Sequence, residues 1–163
     1  VILYFLFRRQ FADNNFFTLK QNKEGLRSAL KVAIGLLSVY VLAGLLGEKE
    51  FDTETLLFQI SMPGIDEEVM SRGVLLGLMC STLREGGKPS LNPAIIINGI
   101  WFGLVHSLSF QSGEVVFSVA SFIVTGLVGY ALAYIALRSR SILIPMLTHN
   151  LCNFCNNLLS MIL

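Results

Sequence analysis

Charged residues are scarce in this 163-residue chain, at 14% of the sequence against about 25% in an ordinary soluble domain. So few charges cannot cover a water-facing surface, which excludes a conventional soluble domain. The formal net charge is only +1, so the charge balance gives no sign of nucleic acid or an acidic polymer as a partner. The three cysteines, Cys80, Cys152 and Cys155, lie in apolar segments, and an odd set of this kind is not a disulfide framework.

Apolar residues are abundant instead, at 53% of the sequence, and the mean hydropathy is +0.66. Five apolar runs stand out, at residues 26–47, 56–83, 94–110, 115–137 and 142–163. Crossing about 30 Å of hydrocarbon takes about 20 helical residues, and several of these runs are long enough. All are predicted to be helices, because open strand edges cannot satisfy their backbone groups in lipid. The sequence therefore predicts an all-α membrane protein, a polytopic transmembrane helix bundle.

The first 55 residues are predicted to precede the segments that contain the intramembrane polar residues. The sequence begins with Val1, and residues 1–7 are apolar, which predicts the tail of a truncated span. Residues 8–27 mix basic residues with Phe11, Phe16 and Phe17, a pattern typical of a segment lying on the membrane surface. We therefore divide the chain into residues 1–55, which contain the truncated span, the surface segment and the first complete transmembrane helix, and a helix bundle at residues 56–163.

Basic residues are distributed unevenly between the predicted loops. One set of alternate loops and their flanks contains ten of them: Arg8, Arg9, Lys20, Lys23, Arg27, Lys31, Arg84, Lys88, Arg138 and Arg140. The opposite set contains only Lys49, and Arg72 lies within a span. The positive-inside rule therefore places residues 84–88 in the cytoplasm and residues 48–54 outside.

Ionisable side chains at membrane depth are costly and usually mark a functional site. The first group here is Glu67-Glu68-x-x-x-Arg72, after Pro63-Gly64. Glu68 and Arg72 are one helical turn apart, in the favourable order for an ion pair, while Glu67 points about 100° away from Glu68. This spacing predicts one anchored carboxylate and one that is free to act as a base. A simple charged cluster at a helix mouth is the alternative.

The second group is Phe102-x-x-x-His106, on a helix whose face also contains Asn98. A lone histidine on an apolar helix is more often structural than catalytic. Counted at 1.5 Å per residue, however, His106 lies about 25 Å from the cytoplasmic turn, the same depth as Glu67. The two side chains are therefore predicted to meet.

The third group is a polar stripe on the last helix that begins with His149-x-x-x-Asn153 and continues through Asn156 and Ser160. Hydrogen-bonding contacts between helices are the alternative reading of this stripe. Helical rise from Arg140 places His149 only about 14 Å deep, which disagrees with the depth of the other two groups. Either the preceding turn dips inward or the helices are tilted.

Small residues form two further patterns, Gly73-x-x-x-Gly77 and Gly99-x-x-x-Gly103. Glycines four residues apart let helix backbones approach closely in membranes. We interpret both pairs as packing faces without a catalytic role.

The three polar groups, in this order on successive helices, resemble the signature of the CAAX-protease and bacteriocin-processing family (CPBP, also called Abi) of intramembrane peptidases. Its eukaryotic member is the Ras-converting CAAX endopeptidase. The resemblance covers residues 56–163, and each motif is far less specific alone than the three are together. One departure is Ser71, where the family often has phenylalanine before the arginine.

The resemblance implies roles for four catalytic residues. Glu67 and His106 would activate a water molecule for attack on a peptide carbonyl. His149 and Asn153 would stabilise the resulting oxyanion, which is usually the largest catalytic contribution.

The resemblance also implies that Glu68 and Arg72 hold the geometry of the site. It allows either a metal-free glutamate mechanism or a divalent metal such as zinc, with Glu67, His106 and His149 as ligands. Three protein ligands and an open position would suit catalytic zinc. The His-Glu-x-x-His spacing of many zinc peptidases is not present, which favours the metal-free alternative.

The expected function is hydrolysis of a peptide bond in a membrane-associated protein or peptide, either CAAX-type processing or bacteriocin maturation and self-immunity. The expected partners are membrane lipid and a peptide or protein substrate that can be prenylated. The expected location is a prokaryotic plasma membrane, crossed several times. A transporter or a non-catalytic immunity or scaffold protein is the other class of function, since transporters also bury polar residues at mid-membrane.

Overall fold

The computed structural model describes residues 16–83 and 87–163, together with Leu6, Arg9 and Asn14. Apart from Leu6, the predicted truncated span at residues 1–7 lies outside the described residues. Most of residues 8–15 of the predicted surface segment, and residues 84–86 of the predicted cytoplasmic turn, also lie outside them.

The described chain is mainly helical, and each of the five apolar runs contains at least one helix. The α-helices are α1 (Lys23–Gly44), α2 (Thr53–Glu68), α3 (Leu76–Thr82), α4 (Pro93–Ser107), α5 (Val119–Ser139) and α6 (Leu143–Ile162). A π-helical segment, Val69–Leu75, joins α2 to α3. The run at residues 56–83 is therefore one continuous helical rod that passes through Pro63. A short 3-10 turn, Pro89–Leu91, precedes α4.

Polar side chains fix where several helices begin. Asn22 caps α1, Asn92 caps α4, and Asp52 caps α2 by accepting the backbone N–H groups of Glu54 and Thr55. Asp52 also accepts a hydrogen bond from the Thr55 hydroxyl. The pKa of the exposed Asp52 carboxyl is lowered because these donors stabilise its charged form. The Thr55 hydroxyl has the largest effect and the Glu54 N–H the next largest.

A β-hairpin between α4 and α5 contradicts the prediction that every apolar segment is helical. Strands β1 (Leu108–Gln111) and β2 (Glu114–Phe117) pair antiparallel, with Gln111 opposite Glu114. Ser112 and Gly113 form the two-residue loop with φ of 51° and 89°, as the commonest hairpin turn requires. The strands satisfy the backbone groups on the edges that face each other. Consequently α4 ends three residues before the predicted boundary, and α5 begins four residues after it.

Phe16, in the segment predicted to lie on the membrane surface, is not itself at a surface. Its side chain is fully buried among Leu76, Cys80 and Ile95, and its carbonyl accepts the Ile142 N–H at 3.0 Å. A buried aromatic ring contributes a large apolar area to a core. The chain at Phe16 therefore packs against the helices that follow it.

Helix α5 lies at the centre of the molecule and contributes to both hydrophobic clusters. Ala133 and Ala136 belong to one cluster, and Leu132 and Ile135 belong to the other. Helix α4 packs closely on α5, since a Cβ atom at Gly103 would lie 2.9 Å from the Cα of Gly126 and 2.6 Å from the carbonyl oxygen of Phe122. The predicted packing role is confirmed there.

Gly73 has a different role from the one predicted for it. A Cβ atom at this position would collide with the ring of Phe17. Gly73 therefore makes room for an aromatic side chain from the segment before α1, and the contact it permits is not one between two helix backbones.

Two described helices, α1 and α5, are long and apolar enough to cross a membrane. Large apolar side chains are exposed on several helices, including Ile34, Leu57 and Leu127, each more than 60% accessible. So many exposed apolar side chains are typical of a surface that contacts membrane or protein.

Candidate active site

The buried centre of the site is an ion pair between Glu68 and Arg72. Both side chains are fully inaccessible to solvent, and Arg72 Nη1 lies 3.0 Å from Glu68 Oε1. Arg72 Nη2 donates to the carbonyl oxygen of Gly129 on α5 at 2.9 Å. The pair predicted from the i,i+4 spacing is confirmed. It also attaches the α2–α3 rod to the central helix.

His149 joins this pair from α6. Its Nδ1 lies 2.9 Å from Glu68 Oε1, and the ring is almost completely buried. A carboxylate only accepts here, so Nδ1 carries the proton and donates it. Nε2 is therefore the ring nitrogen available for other chemistry. The contact also brings α6 to the level of Glu68, which settles the disagreement in predicted depth.

Glu67 and His106 meet on the other side of the rod. Glu67 Oε2 lies 3.4 Å from His106 Nε2, and each side chain is 33% exposed. His106 Nδ1 donates to the Phe102 carbonyl oxygen at 2.8 Å, so Nε2 is an acceptor in the neutral ring. Glu67 Oε2 has no hydrogen-bond partner among the residues that the structure describes. Two acceptors thus face each other at a distance longer than a hydrogen bond.

The ring of Phe102 connects the two halves of the site. It stacks on His106 with centroids 4.2 Å apart and meets His149 edge-on at 6.2 Å. The Arg72 guanidinium lies 4.4 Å from the ring centroid, a cation–π contact. Gly129 makes room for this arrangement, because a Cβ atom there would lie 2.6 Å from the Phe102 Cβ.

Two asparagines support the site through the backbone of the rod. Asn98 on α4 donates to the Ser71 carbonyl oxygen at 2.8 Å. Asn150 accepts the Gly64 N–H at 2.6 Å and donates to the Ser61 carbonyl oxygen at 3.1 Å. Sequence reasoning placed Asn98 on the His106 face but missed Asn150. Its only signal was an amide side chain next to His149.

The polar stripe of α6 contacts two elements: His149 contacts the rod, and residues further along contact α1. Asn156 Nδ2 donates to the Tyr40 carbonyl oxygen, and Ser160 Oγ donates to the Gly44 carbonyl oxygen, so these two residues hold α6 to α1. The side chain of Asn153 has no hydrogen bond to residues 16–83 or 87–163, while its carbonyl accepts from Asn157. The interhelical reading is therefore right for Asn156 and Ser160.

A cavity of about 390 Å³ opens beside Glu67 and His106. Apolar side chains of Met70, Trp101 and Val105 form part of its wall. His149 and Asn153 are not among the lining residues, although Phe102, which contacts His149, is. The structure thus brings Glu67 and His106 together at an accessible cavity and places His149 behind Phe102.

The described residues do not fit the three-ligand metal site that the sequence allows. Within residues 16–83 and 87–163, no group of three histidine, cysteine or acidic side chains is close enough to hold an ion. His106 is paired with Glu67, whereas His149 is held by Glu68. Glu67, His106 and His149 therefore do not converge on a single position.

A family model, described as "Type II CAAX prenyl endopeptidase Rce1-like", matches residues 50–155 of the chain. The chain belongs to the Rce1-like family. All six polar residues of the predicted site lie within the matched part of this Rce1-like chain. Membership makes it a CAAX-type protease of the membrane, as the resemblance implied. Comparisons with curated proteins and with solved structures gave no significant match.

Proposed function

We propose that this Rce1-like chain crosses a prokaryotic plasma membrane several times and hydrolyses a peptide bond in a prenylated, membrane-associated protein. The observation that carries the proposal is the pair formed by Glu67 Oε2 and His106 Nε2, two acceptors 3.4 Å apart on the wall of an accessible cavity. Such a pair can accept one more proton, as a general base does.

The proposed reaction begins with a water molecule bound against the exposed parts of Glu67 and His106. Glu67 takes a proton from this water as the oxygen attacks the carbonyl carbon of the substrate. The tetrahedral intermediate then collapses as the C–N bond breaks. The same proton, shared between Glu67 and His106 Nε2, passes to the leaving amine. His106 is oriented for this step by the hydrogen bond of its Nδ1 to Phe102.

His149 and Asn153 are proposed to stabilise the oxyanion. The support is that Glu68 holds Nδ1 of His149, so that Nε2 can donate to the oxyanion in the imidazolium form, in which both ring nitrogens carry a proton. The Asn153 side chain, one turn further along α6, has no hydrogen bond within the described residues and so is free to donate. Reaching the cavity from His149 requires a small movement of the Phe102 ring that separates it from His106.

The wall of the cavity supports an apolar substrate. Met70, Leu75, Trp101 and Val105 line it beside the acid–base pair. These side chains suit a hydrophobic peptide or a prenyl group. The family description names a CAAX prenyl endopeptidase, so we propose CAAX-type processing in preference to bacteriocin maturation.

The proposed mechanism uses no metal, because Glu67, His106 and His149 do not converge in this structure.

The test measures hydrolysis of quenched peptides, with and without a prenyl group, by the purified protein. We expect Glu67→Gln and His106→Ala each to lower turnover by about 10²–10⁴-fold, the usual contribution of a general base. We expect His149→Ala and Asn153→Ala to lower turnover more than they weaken substrate binding.

Asp66→Asn is a matched control for Glu67→Gln, since Asp66 also lines the cavity and is not placed in the reaction. It should retain activity. Strong chelation and metal analysis of the same samples test the mechanism, and activity that disappears on metal removal would contradict a metal-free reaction. Cleavage by Glu67→Gln at the wild-type rate would overturn the protease site, as would solute transport in vesicles without any cleavage.

A further inference from the structure

A second cavity lies around the turn that precedes α4. It has a volume of about 360 Å³, within the size range of small-ligand sites. Its lining comes from the start of α1, the turn before α4 and the end of α5, and includes Asn22, Lys88, Asn92, Arg138 and Arg140. No acidic side chain of the described residues lines it.

The polar groups that line this cavity are donors. Asn22 and Asn92 each use Oδ1 to cap a helix, accepting the N–H groups of Glu24 and Ala94. Neither amide nitrogen has a hydrogen bond within the described residues. N–H groups without a partner favour a ligand that accepts hydrogen bonds.

Two cations complete this donor set. Arg138 uses Nε to donate to Ser28 at 2.8 Å, which fixes the guanidinium, and its two Nη atoms have no bond to the residues that the structure describes. The Lys88 ammonium likewise has no hydrogen bond or ion pair in that part of the chain. Arg140 also lines the cavity, and its Nη1 donates to Asn14.

We propose that this cavity binds a phosphate group, and that the phosphate belongs to the headgroup of an anionic lipid. Guanidinium, ammonium and amide donors facing one space match the oxygens of a phosphate. The cavity lies among the residues that the basic asymmetry places on the cytoplasmic side, where basic pockets between helices bind anionic headgroups. The assignment to lipid depends on the proposed membrane orientation, but not on proteolytic activity.

The test is lipid retention by the full chain in detergent, measured by native mass spectrometry with phosphatidylglycerol and phosphatidylcholine of equal acyl length. Wild type should retain the anionic lipid preferentially. Lys88→Gln should weaken this retention about tenfold, the effect of losing about one charge-assisted hydrogen bond, and Lys88→Arg should largely preserve it. Lys23→Gln is the matched control, since Lys23 is exposed, follows Asn22 and does not line the cavity.

Inorganic phosphate, tested by its effect on the unfolding temperature, distinguishes the two sources of the anion. Stabilisation by phosphate that Lys88→Gln abolishes, with equal retention of the two lipids, would overturn the lipid assignment and keep the anion site. Equal effects of Lys88→Gln and Lys23→Gln in both assays would overturn the site itself.

Discussion

Two adjacent glutamates have opposite environments at the scale of single residues. Glu68 is fully buried between Arg72 and His149, whereas Glu67 is one-third exposed at the cavity. The sequence predicts this division because it depends only on local geometry. A residue four positions along a helix lies nearly above the first, and a residue one position along points about 100° away.

Arg72→Ala should destabilise the protein by about 3–5 kcal/mol, because it removes one member of a buried ion pair. His149 alone would then compensate the Glu68 carboxylate, and the Gly129 carbonyl oxygen would lose its Arg72 donor. The measurement is the free energy of unfolding in detergent. Arg72→Lys should recover only part of this loss, since a single ammonium does not reproduce the planar fork of donors.

Glu67→Gln provides the comparison for this prediction. Its side chain is partly exposed and its contact with His106, at 3.4 Å, is longer than an ordinary hydrogen bond, so the unfolding free energy of Glu67→Gln should stay near that of the wild type. If Glu67→Gln destabilised the protein as much as Arg72→Ala does, the division between a structural and a catalytic glutamate would be wrong.

Contacts between distant residues were not predictable in the same way. Glu68 and His149 are 81 positions apart, and Gly64 and Asn150 are 86 positions apart. Counting helical rise gives equal depths only if helices start at the same level and run parallel to the membrane normal. That assumption worked for Glu67 and His106, whose helices are joined by one short turn, and failed for His149.

At the scale of elements, the hairpin shows how a general rule outweighed a local signal. The Ser112-Gly113 pair between residues rich in β-branched and aromatic side chains indicates a two-residue hairpin. The general expectation that membrane segments are helical instead predicted two helices longer than those observed. The π-helical segment Val69–Leu75 had no comparable signal, since a Val-Met-Ser-Arg-Gly-Val-Leu sequence is equally suited to an α-helix.

Gly129→Ala tests whether close packing of α5 against α4 positions the site. The added Cβ would lie 2.6 Å from the Phe102 Cβ, which is closer than real contacts allow. Phe102 would have to shift, and with it the stacked His106 ring. We therefore expect a fall in turnover of roughly 10²-fold, as a displacement of about 1 Å in a catalytic group can produce, measured with the same peptides.

Gly35→Ala is the control for this substitution. Gly35 lies in the exposed face of α1, where a Cβ would meet nothing within 4 Å. Alanine is favoured over glycine in a helix interior by about 1 kcal/mol, so this variant should be as stable as the wild type or more so, with full activity. Loss of activity in Gly35→Ala as well would mean that any added methyl group disturbs the protein, and the effect of Gly129→Ala would then not be due to Phe102.

At the scale of the whole molecule, the α2–α3 rod connects two chemically different ends. Residues 53–82 rise through roughly 45 Å at 1.5 Å per residue, more than the hydrocarbon thickness of a bilayer. The chain that follows the rod contributes Lys88 to the second cavity, which Arg138 also lines. The chain that precedes the rod contains Asp52 and an acidic loop. Such an arrangement fits a fixed orientation in the membrane.

Cysteine labelling in intact cells tests this orientation. Glu50→Cys and Ser90→Cys both replace exposed residues, one before the rod and one after it. The ten-to-one distribution of basic residues places Ser90 in the cytoplasm. A thiol reagent that cannot cross membranes should therefore label Glu50→Cys in intact cells and label Ser90→Cys only after permeabilisation. Cys80 and Cys152 are buried, so replacing Cys155 should keep the background low. Labelling of Ser90→Cys but not Glu50→Cys in intact cells would reverse the orientation and move the proposed phosphate cavity to the outer face.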